Sequence, residues 1–501
     1  MKEKSIIIIG GGLTGLSAGC YGRMNSYRTS IFEMHSIAGG VCTGWKRKGY
    51  TIDGAVNWVV GTRPGIEFYR FWEELGAAPD WKIYNHDLYV VNESLDGEAF
   101  FVYCDTDRFE QYLLNISAED ETVIKELTGA IRTVSKMSMP TDKPQENYSI
   151  LDKLKLLKMI TQAGFFKKWS GVSIGDFAAQ FKNSFLREMI SNSFGAENPM
   201  MMLLFVLGLQ HSKSAGYTIG GALALVDSIE KRYLSLGGEI HYNSRVVKIL
   251  VENDRAVGIR LADGSEHRAD WVISAADGRT TIFDMLDGAY LDEKIKGKYD
   301  NPRLFQPLVY VGLGVDRQLE DLPSSIAGLS YPLSKPIVIA GEAKNILNVR
   351  SYSFDPNMAP PGKNTLIVQF ETNYDYWHEL RQDLELYRAE KEAIVQAVIV
   401  GLEERFPGIA GQVEMTDLAT PITWERYTGN WRGSYEGWMF GEEDFSPRSP
   451  MRKTLPGLKN FYMAGQWVNP GGGIPTAVMS GNHTIQMICK EDSKKFTSSK
   501  P

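Results

Sequence analysis

The chain has 501 residues, 43% hydrophobic and 23% charged, with a formal net charge of −7 at pH 7. That length exceeds what one simple core serves and predicts two or three domains. The acidic balance argues against a nucleic-acid-binding protein, which would carry a basic face, and four scattered cysteines offer neither a CxxC pair nor a metal spacing.

Residues 1–4 lead through Ser5 into IIIIGGG, an apolar run too short for a secretion signal and closed by glycines. Ser5–Ile9 is apolar and rich in isoleucine, as a buried parallel strand requires. It leads into Gly10-Gly11-Gly12-Leu13-Thr14-Gly15 and then into a helix beginning near Leu16. In this GxGxxG, Gly10 permits the tight turn and Gly12 lets backbone N–H groups reach a pyrophosphate. Gly15 and Gly19 let the helix pack closely on the sheet. A second strand, Thr29–Phe32, ends in Glu33, 23 residues after Gly10, where a carboxylate binds ribose hydroxyls and disfavours the phosphorylated ribose of NADP.

An NAD-binding domain would continue from this acid into a crossover helix. Here Gly39-Gly40 comes first, followed by Trp45-Lys46-Arg47-Lys48-Gly49-Tyr50-Thr51-Ile52-Asp53-Gly54. A second close backbone approach suits a cofactor with another bulky half, so FAD fits better than NAD.

These elements resemble the phytoene desaturase-like flavoproteins, which include carotenoid desaturases, carotenoid isomerases and retinol saturases. Further segments carry the resemblance along nearly the whole chain: Gly216-Tyr217-Thr218-Ile219-Gly220-Gly221, Gly237-Gly238-Glu239-Ile240 with Val246 and Asp263-Gly264, Asp355-Pro356 through Gly362, Thr420-Pro421 through Gly433-Ser434, and Phe461 to Gln466 with Pro470 to Gly473 and Ser480-Gly481. The resemblance implies an α/β protein in which a Rossmann-type FAD-binding domain, of the glutathione reductase and amine oxidase kind, carries an inserted α+β substrate domain. It implies FAD held by Gly10, Gly12, Leu13, Thr14, Gly15, Glu33, Gly39, Gly40, Val41, Val246, Gly465, Gln466, Gly472, Gly473 and Ile474. Two positions depart from the pattern. Val41 stands where the wider group often has an arginine, a change also found among isomerase-like members, and Lys46, Arg47 or Lys48 could replace that phosphate contact. Gln466 stands where the family has an aspartate on the ribityl chain, and its amide can still donate and accept there.

The FAD domain is expected in three pieces, 1–75, 216–280 and 446–492, with the substrate domain made from 76–215 and 281–445 and a disordered tail at 493–501. The middle piece should open with a helix from about Gly216 to Leu236. Val246–Glu252, Ala256–Leu261 and Trp271–Ser274, turned at Asn253-Asp254 and Asp263-Gly264, should form a meander. Strands are expected at Pro307–Val315 and Thr365–Phe370, with a helix at about Leu384–Phe406 stopped by Pro407-Gly408. Met137–Asn147, polar and holding two prolines, reads as a mobile connection.

For the substrate, Trp58 after Asp53-Gly54, and Trp424 and Tyr427 in the aromatic cluster with Trp431, are the candidate contacts, with core packing as the alternative at each. His211 and His483 lack partners at a readable spacing, no metal site is expected, and the sequence identifies no catalytic base. Met200–Leu209 is either a buried helix or the wall of an apolar channel, and 151–169, with five lysines among large apolar residues, is either an interfacial helix or a solvated helix with one core face. No run reaches the roughly 20 apolar residues of a membrane span. The expectation is a cytoplasmic enzyme acting by hydride transfer on C–C or C=C bonds of a long apolar polyene, with peripheral membrane contact and oligomeric state left open. Alternatives are a cis–trans carotenoid isomerase without net redox change, an oxidase of an amine or another lipid, and a non-enzymatic prenyl-lipid-binding protein.

Overall fold

The computed structural model describes residues 3–137, 141–149, 152, 164–319, 322–323, 325–439, 452–469 and 471–501. The N-terminal strand Ser5–Ile9 lies near the centre of a five-stranded parallel sheet, in the order Glu239–His241, Arg28–Phe32, Ser5–Ile9, Trp271–Ser274, Phe461–Met463. Its side chains alternate across the sheet. Ile6 and Ile8 pack with the helices Leu13–Met24, Gly221–Ser235 and Gly473–Glu491, whereas Ile7 and Ile9 pack with a small antiparallel sheet on the other face. Both faces are therefore dry, which is why this strand reads as an unbroken apolar run.

Two elements differ from expectation. The antiparallel sheet is Val246–Glu252, Arg255–Leu261 and Glu266–Arg268. Trp271–Ser274 leaves it to become a wholly buried strand between Ser5–Ile9 and Phe461–Met463, in keeping with its lack of polar alternation. The segment at Gly216 does not open a helix. Ala215–Thr218 is a buried strand paired with Val59–Val60 and Ile83–Tyr84. The helix starts only at Gly221, because Gly220 and Gly221 both adopt positive φ, +90° and +61°, which a right-handed helix cannot continue through.

The two long insertions meet in one seven-stranded sheet, ordered Val413–Ala419, Leu308–Val315, Asn364–Glu371, Glu342–Ser351, Leu329–Ile339, Leu88–Glu93, Ala99–Tyr103. The pairing of Leu329–Ile339 with Leu88–Glu93 joins the insertions. The helix Leu384–Arg405 covers one side through Ile394, Val395, Val398 and Leu402. A helical cluster including Glu121–Val134, Ser184–Phe194 and Met200–His211 packs beyond the last strands.

Buried carboxylates tie the pieces together. Asp53 accepts hydrogen bonds from Ala55 N, Val56 N and, across the chain, Ala222 N at 2.7 Å, satisfying an orphan amide at the start of the helix Gly221–Ser235. Asp355 accepts from Gly220 N at 2.6 Å and from the Tyr217 hydroxyl at 3.1 Å. The expected mobile connection is also fastened: in its described residues, the Thr141 and Asp142 carbonyls bond His483 Nε2 at 3.0 Å and Gln486 Nε2 at 2.8 Å. Residues 493–501 are not disordered. Thr497 exchanges two hydrogen bonds with Asn25, Ser498 Oγ donates to Glu74 Oε1, and the Phe496 ring packs on Tyr21. The expected boundary at 446 and most of the lysine-rich stretch 151–169 lie outside the described residues. Within that stretch Lys168 pairs with Glu126 and Trp169 is buried.

Candidate functional site

The two glycine motifs of the first fifty residues touch. Gly39 N donates to Gly11 O at 2.9 Å, Gly12 and Gly39 form a parallel β-bridge, and a Cβ on Gly40 would sit 3.2 Å from Gly12 Cα. Gly39 and Gly40 have φ of +124° and +60°, which side-chain-bearing residues rarely adopt. A Cβ on Gly15 would overlap the Gly10 carbonyl oxygen, so close packing is its role, and it does not line the cavity described below.

Glu33 closes this corner. It is 6% exposed, and its Oε2 accepts from Gly11 N at 2.6 Å while Oε1 accepts from His35 N at 2.8 Å. Burial raises its pKa and the backbone bonds oppose that rise. A carboxylate has about four acceptor sites, so the two bonds that hold the loop leave room for ribose hydroxyls.

The C-terminal motif closes the other end. Gly465 N donates to Ser480 Oγ at 2.8 Å, which in turn donates to Asn469 Oδ1. Gln466 Nε2 donates to Asn430 Oδ1 at 3.1 Å, leaving its carbonyl oxygen to accept. The 19-residue helix Gly473–Glu491 begins with no side-chain cap and no acid in its first turn, and the helix Leu13–Met24 begins the same way. Two uncapped helix starts leave amides and positive dipole ends without a side-chain cap among the described residues. Their first residues both line one cavity.

That cavity has a volume of about 2650 Å³, well above the roughly 300–1,000 Å³ of a pocket for one drug-sized ligand. Of the proposed cofactor residues, Gly10, Gly12, Leu13, Thr14, Glu33, Gly39, Gly40, Val41, Val246, Gly465, Gln466, Gly472, Gly473 and Ile474 all line it. So does Trp58, which hydrogen-bonds Tyr89. Trp424 and Tyr427 are placed elsewhere. Trp424 is buried between Trp45 and Tyr310, and Tyr427 is 46% exposed with its ring against His35. The lysines and arginine suggested to replace a missing phosphate contact also point away: Arg47 pairs with Asp417, Lys48 bonds Glu414 O, and Lys46 is exposed. The cations on the cavity wall are instead residues such as Arg63, Arg245 and Arg350. His483 is structural, pushed down to about 4 chiefly by burial, and His211 accepts from Thr106 N.

The helix Met200–His211 satisfies both expectations made for it. Met200, Leu203, Leu204 and Leu207 enter the helical core, while Met201, Phe205 and Leu209, spaced by four, line the cavity. Composition could not separate two apolar faces.

Sequence reasoning missed Glu436. Its carboxyl faces the cavity beside Gly472 and Gly473, forms no hydrogen bond among the described residues, and burial pushes it up to about 7. Only its place within the GSYEGW stretch hinted at this.

A model of the family described as flavin containing amine oxidoreductase matches residues 13–487. The chain belongs to that family. This flavin oxidoreductase is an FAD enzyme, and the uncapped helix starts, bare glycine amides and buried acceptor of its cavity fit a dinucleotide. It is 25% identical to a phytoene desaturase (neurosporene-forming) of Rhodobacter capsulatus, across 96% of this chain and 93% of that one. It is 24% identical to a chloroplastic prolycopene isomerase of Daucus carota, across 96% and 79%. In fold the flavoenzyme is similar to an oxidoreductase from Methanosarcina mazei, with a TM-score of 0.61 and 17% identity over 96% of this chain and 100% of that one. It is likewise similar to putrescine oxidase, with a TM-score of 0.58 and 14% identity over 97% and 99%. Among the described residues no helix is long and apolar enough to cross a membrane.

Two substitutions test this geometry. Gly15→Ala forces a methyl into the Gly10 carbonyl, an overpacking of about 1–3 kcal/mol that moves the loop and should weaken FAD retention roughly tenfold or more, measured by fluorescence on titrating the apoprotein. Glu436 has a folded-state pKa raised from 4.5 to about 7, so its stabilising share is full below the unfolded value and is lost as pH rises through the folded one. Glu436→Gln should therefore gain on the native protein in thermal stability between pH 4.5 and 7 and level off above; a constant difference across that range would contradict the assignment.

Proposed function

We propose that this protein exchanges a hydride between FAD and a carbon–carbon bond of a long apolar polyene of the carotenoid or isoprenoid class. The observation that carries this is one continuous cavity. Its wall includes Glu33 and the glycine loops, Gly471–Gly473, and the apolar residues Met201, Phe205 and Leu209. A dinucleotide accounts for part of that volume, and an extended apolar molecule is the natural occupant of the rest. The names of the desaturase and isomerase relatives support the same substrate class.

FAD, when bound, supplies a hydride acceptor or donor. The protein's share is orientation, exclusion of water and the accompanying proton. The N-terminus of the helix Gly473–Glu491 favours negative charge at the cofactor's edge. Glu436, poised near neutrality, can take a proton at its carboxylate when a double bond forms, or return it when one is reduced. Trp58 lines the same cavity and would help to exclude water from it.

A second reading, isomerisation without net redox change, draws on Val41 and on the isomerase relatives. Amine oxidation draws on the family's description alone.

Oxidised and reduced enzyme, mixed anaerobically with candidate polyenes, separates these readings. Stoichiometric flavin reduction or oxidation with a matching change in product double bonds is expected. Product with unchanged flavin oxidation state would favour the isomerase, and no product from any polyene in either state would count against the substrate class.

A further inference from the structure

Arg350 is a cation on the cavity wall. It stands on the strand Glu342–Ser351, between the buried residues Val349 and Ser351, and faces the cavity. One amine, Nη1, donates to Asn57 Oδ1, and Tyr352 takes a second contact. A guanidinium carries five N–H donors in a planar fork, so most remain unused. Among the described residues it forms no ion pair. Asp53 feels its charge, yet that influence is the least of the causes acting on Asp53, whose oxygens are taken by three backbone amides.

Tyrosines share its part of the cavity wall, with Glu436 and Glu371 acting on two of the same hydroxyls. Tyr89, Tyr310, Tyr352 and Tyr435 all lie within its electrostatic reach, and burial keeps every one of them protonated. Tyr310 donates to Gly54 O at 3.0 Å, while the Tyr435 hydroxyl makes no hydrogen bond among the described residues. A hydrocarbon has nothing to offer these groups. Leaving a fork of donors unanswered in a site that closes around a purely apolar ligand would carry the full desolvation cost of a charge.

We infer that the substrate is an amphipathic acid, a long apolar chain bearing a carboxylate that Arg350 receives through its free N–H groups beside Asn57 and Tyr352. This rests on the polyene reading above and narrows it from hydrocarbon to acid. The planar fork matches a carboxylate by two parallel charge-assisted bonds, whereas an ester offers one neutral carbonyl acceptor and an alkane none. The apolar chain then runs along the face of Met201, Phe205 and Leu209. A charge fixed at one point on the wall also sets which carbon–carbon bond stands opposite the cofactor, so the acid would determine the position of reaction as well as affinity.

The test is equilibrium binding to the FAD-loaded enzyme, read from perturbation of flavin absorbance. The probes are retinoic acid, its methyl ester and palmitate, and the proteins are native, Arg350→Gln and Arg350→Lys. Charge-assisted pairing predicts that the native enzyme prefers the acid over the ester by about 10- to 100-fold, that Arg350→Gln abolishes the preference by weakening the acid alone, and that Arg350→Lys restores part of it. Flavin content and the far-ultraviolet spectrum report whether each variant has folded, and Arg350→Lys keeps the comparison open if Arg350→Gln has not. Equal binding of acid and ester by the native enzyme, or an acid preference that survives Arg350→Gln, overturns the inference. Arg350-dependent binding of palmitate with neither retinoid bound upholds the inference and removes the polyene. Retinoic acid and its methyl ester bound equally tightly, with palmitate unbound, remove the inference and keep the polyene.

Discussion

The structure depends on one backbone-to-backbone approach, between the loop at Gly11-Gly12 and the pair Gly39-Gly40. Two segments nearly thirty residues apart in sequence are bonded directly through Gly39 N and Gly11 O. No side chain fits between them, because Gly39 and Gly40 have positive φ and a Cβ on Gly40 would press on Gly12. Glu33 finishes the arrangement by bonding Gly11 N from the end of its strand. Amides are thereby presented bare at the start of a helix, which is what an anionic pyrophosphate requires. This corner is built from backbone, and only glycine allows the backbone this close.

The remainder of the cavity is set by where that corner stands. The parallel sheet ends its strands at the glycine loops, and the helix Gly473–Glu491 returns with its own uncapped start beside them. Asp53, a few residues past the second glycine pair, bonds Ala222 N and so fastens the first segment to the middle one. Asp355 does the same for Gly220 from within the second insertion. These buried carboxylates, each satisfied by backbone amides rather than by cations, hold separate stretches of chain in register around a single space. Once that space is fixed, its character is mixed. Bare amides, tyrosines with Arg350, and a methionine- and phenylalanine-bearing helix face all contribute to its wall.

What the sequence made legible was the part governed by local rules. Gly10 to Gly15, Glu33, Gly39-Gly40 and the C-terminal glycines carry their chemistry within a few residues of one another, and a phosphate-binding turn has few alternative compositions. Trp271–Ser274 was legible as a strand but not as to which sheet it joins, since four buried residues carry no register. Gly216-Tyr217-Thr218 looked helical because it leads into the helical residues after Gly221, and only the left-handed glycines at 220 and 221 show why the helix starts late. Trp424 and Tyr427 sit in a motif that resembles a substrate loop, yet three-dimensional packing turned one into the core and the other outward. Glu436 and Arg350 were beyond reach because each belongs to an ordinary-looking segment, and only folding sets them facing the same cavity. The tail at 493–501 looked polar and free; its partners, Asn25 and Glu74, lie more than four hundred residues away.

The central claim is that cofactor and apolar substrate occupy one cavity side by side. Fluorescence of the FAD-bound enzyme during titration with a long polyene tests it most directly. The account predicts quenching that saturates at one polyene per flavin while FAD stays bound through gel filtration. Polyene that displaces FAD, or that binds without altering its emission, would contradict it.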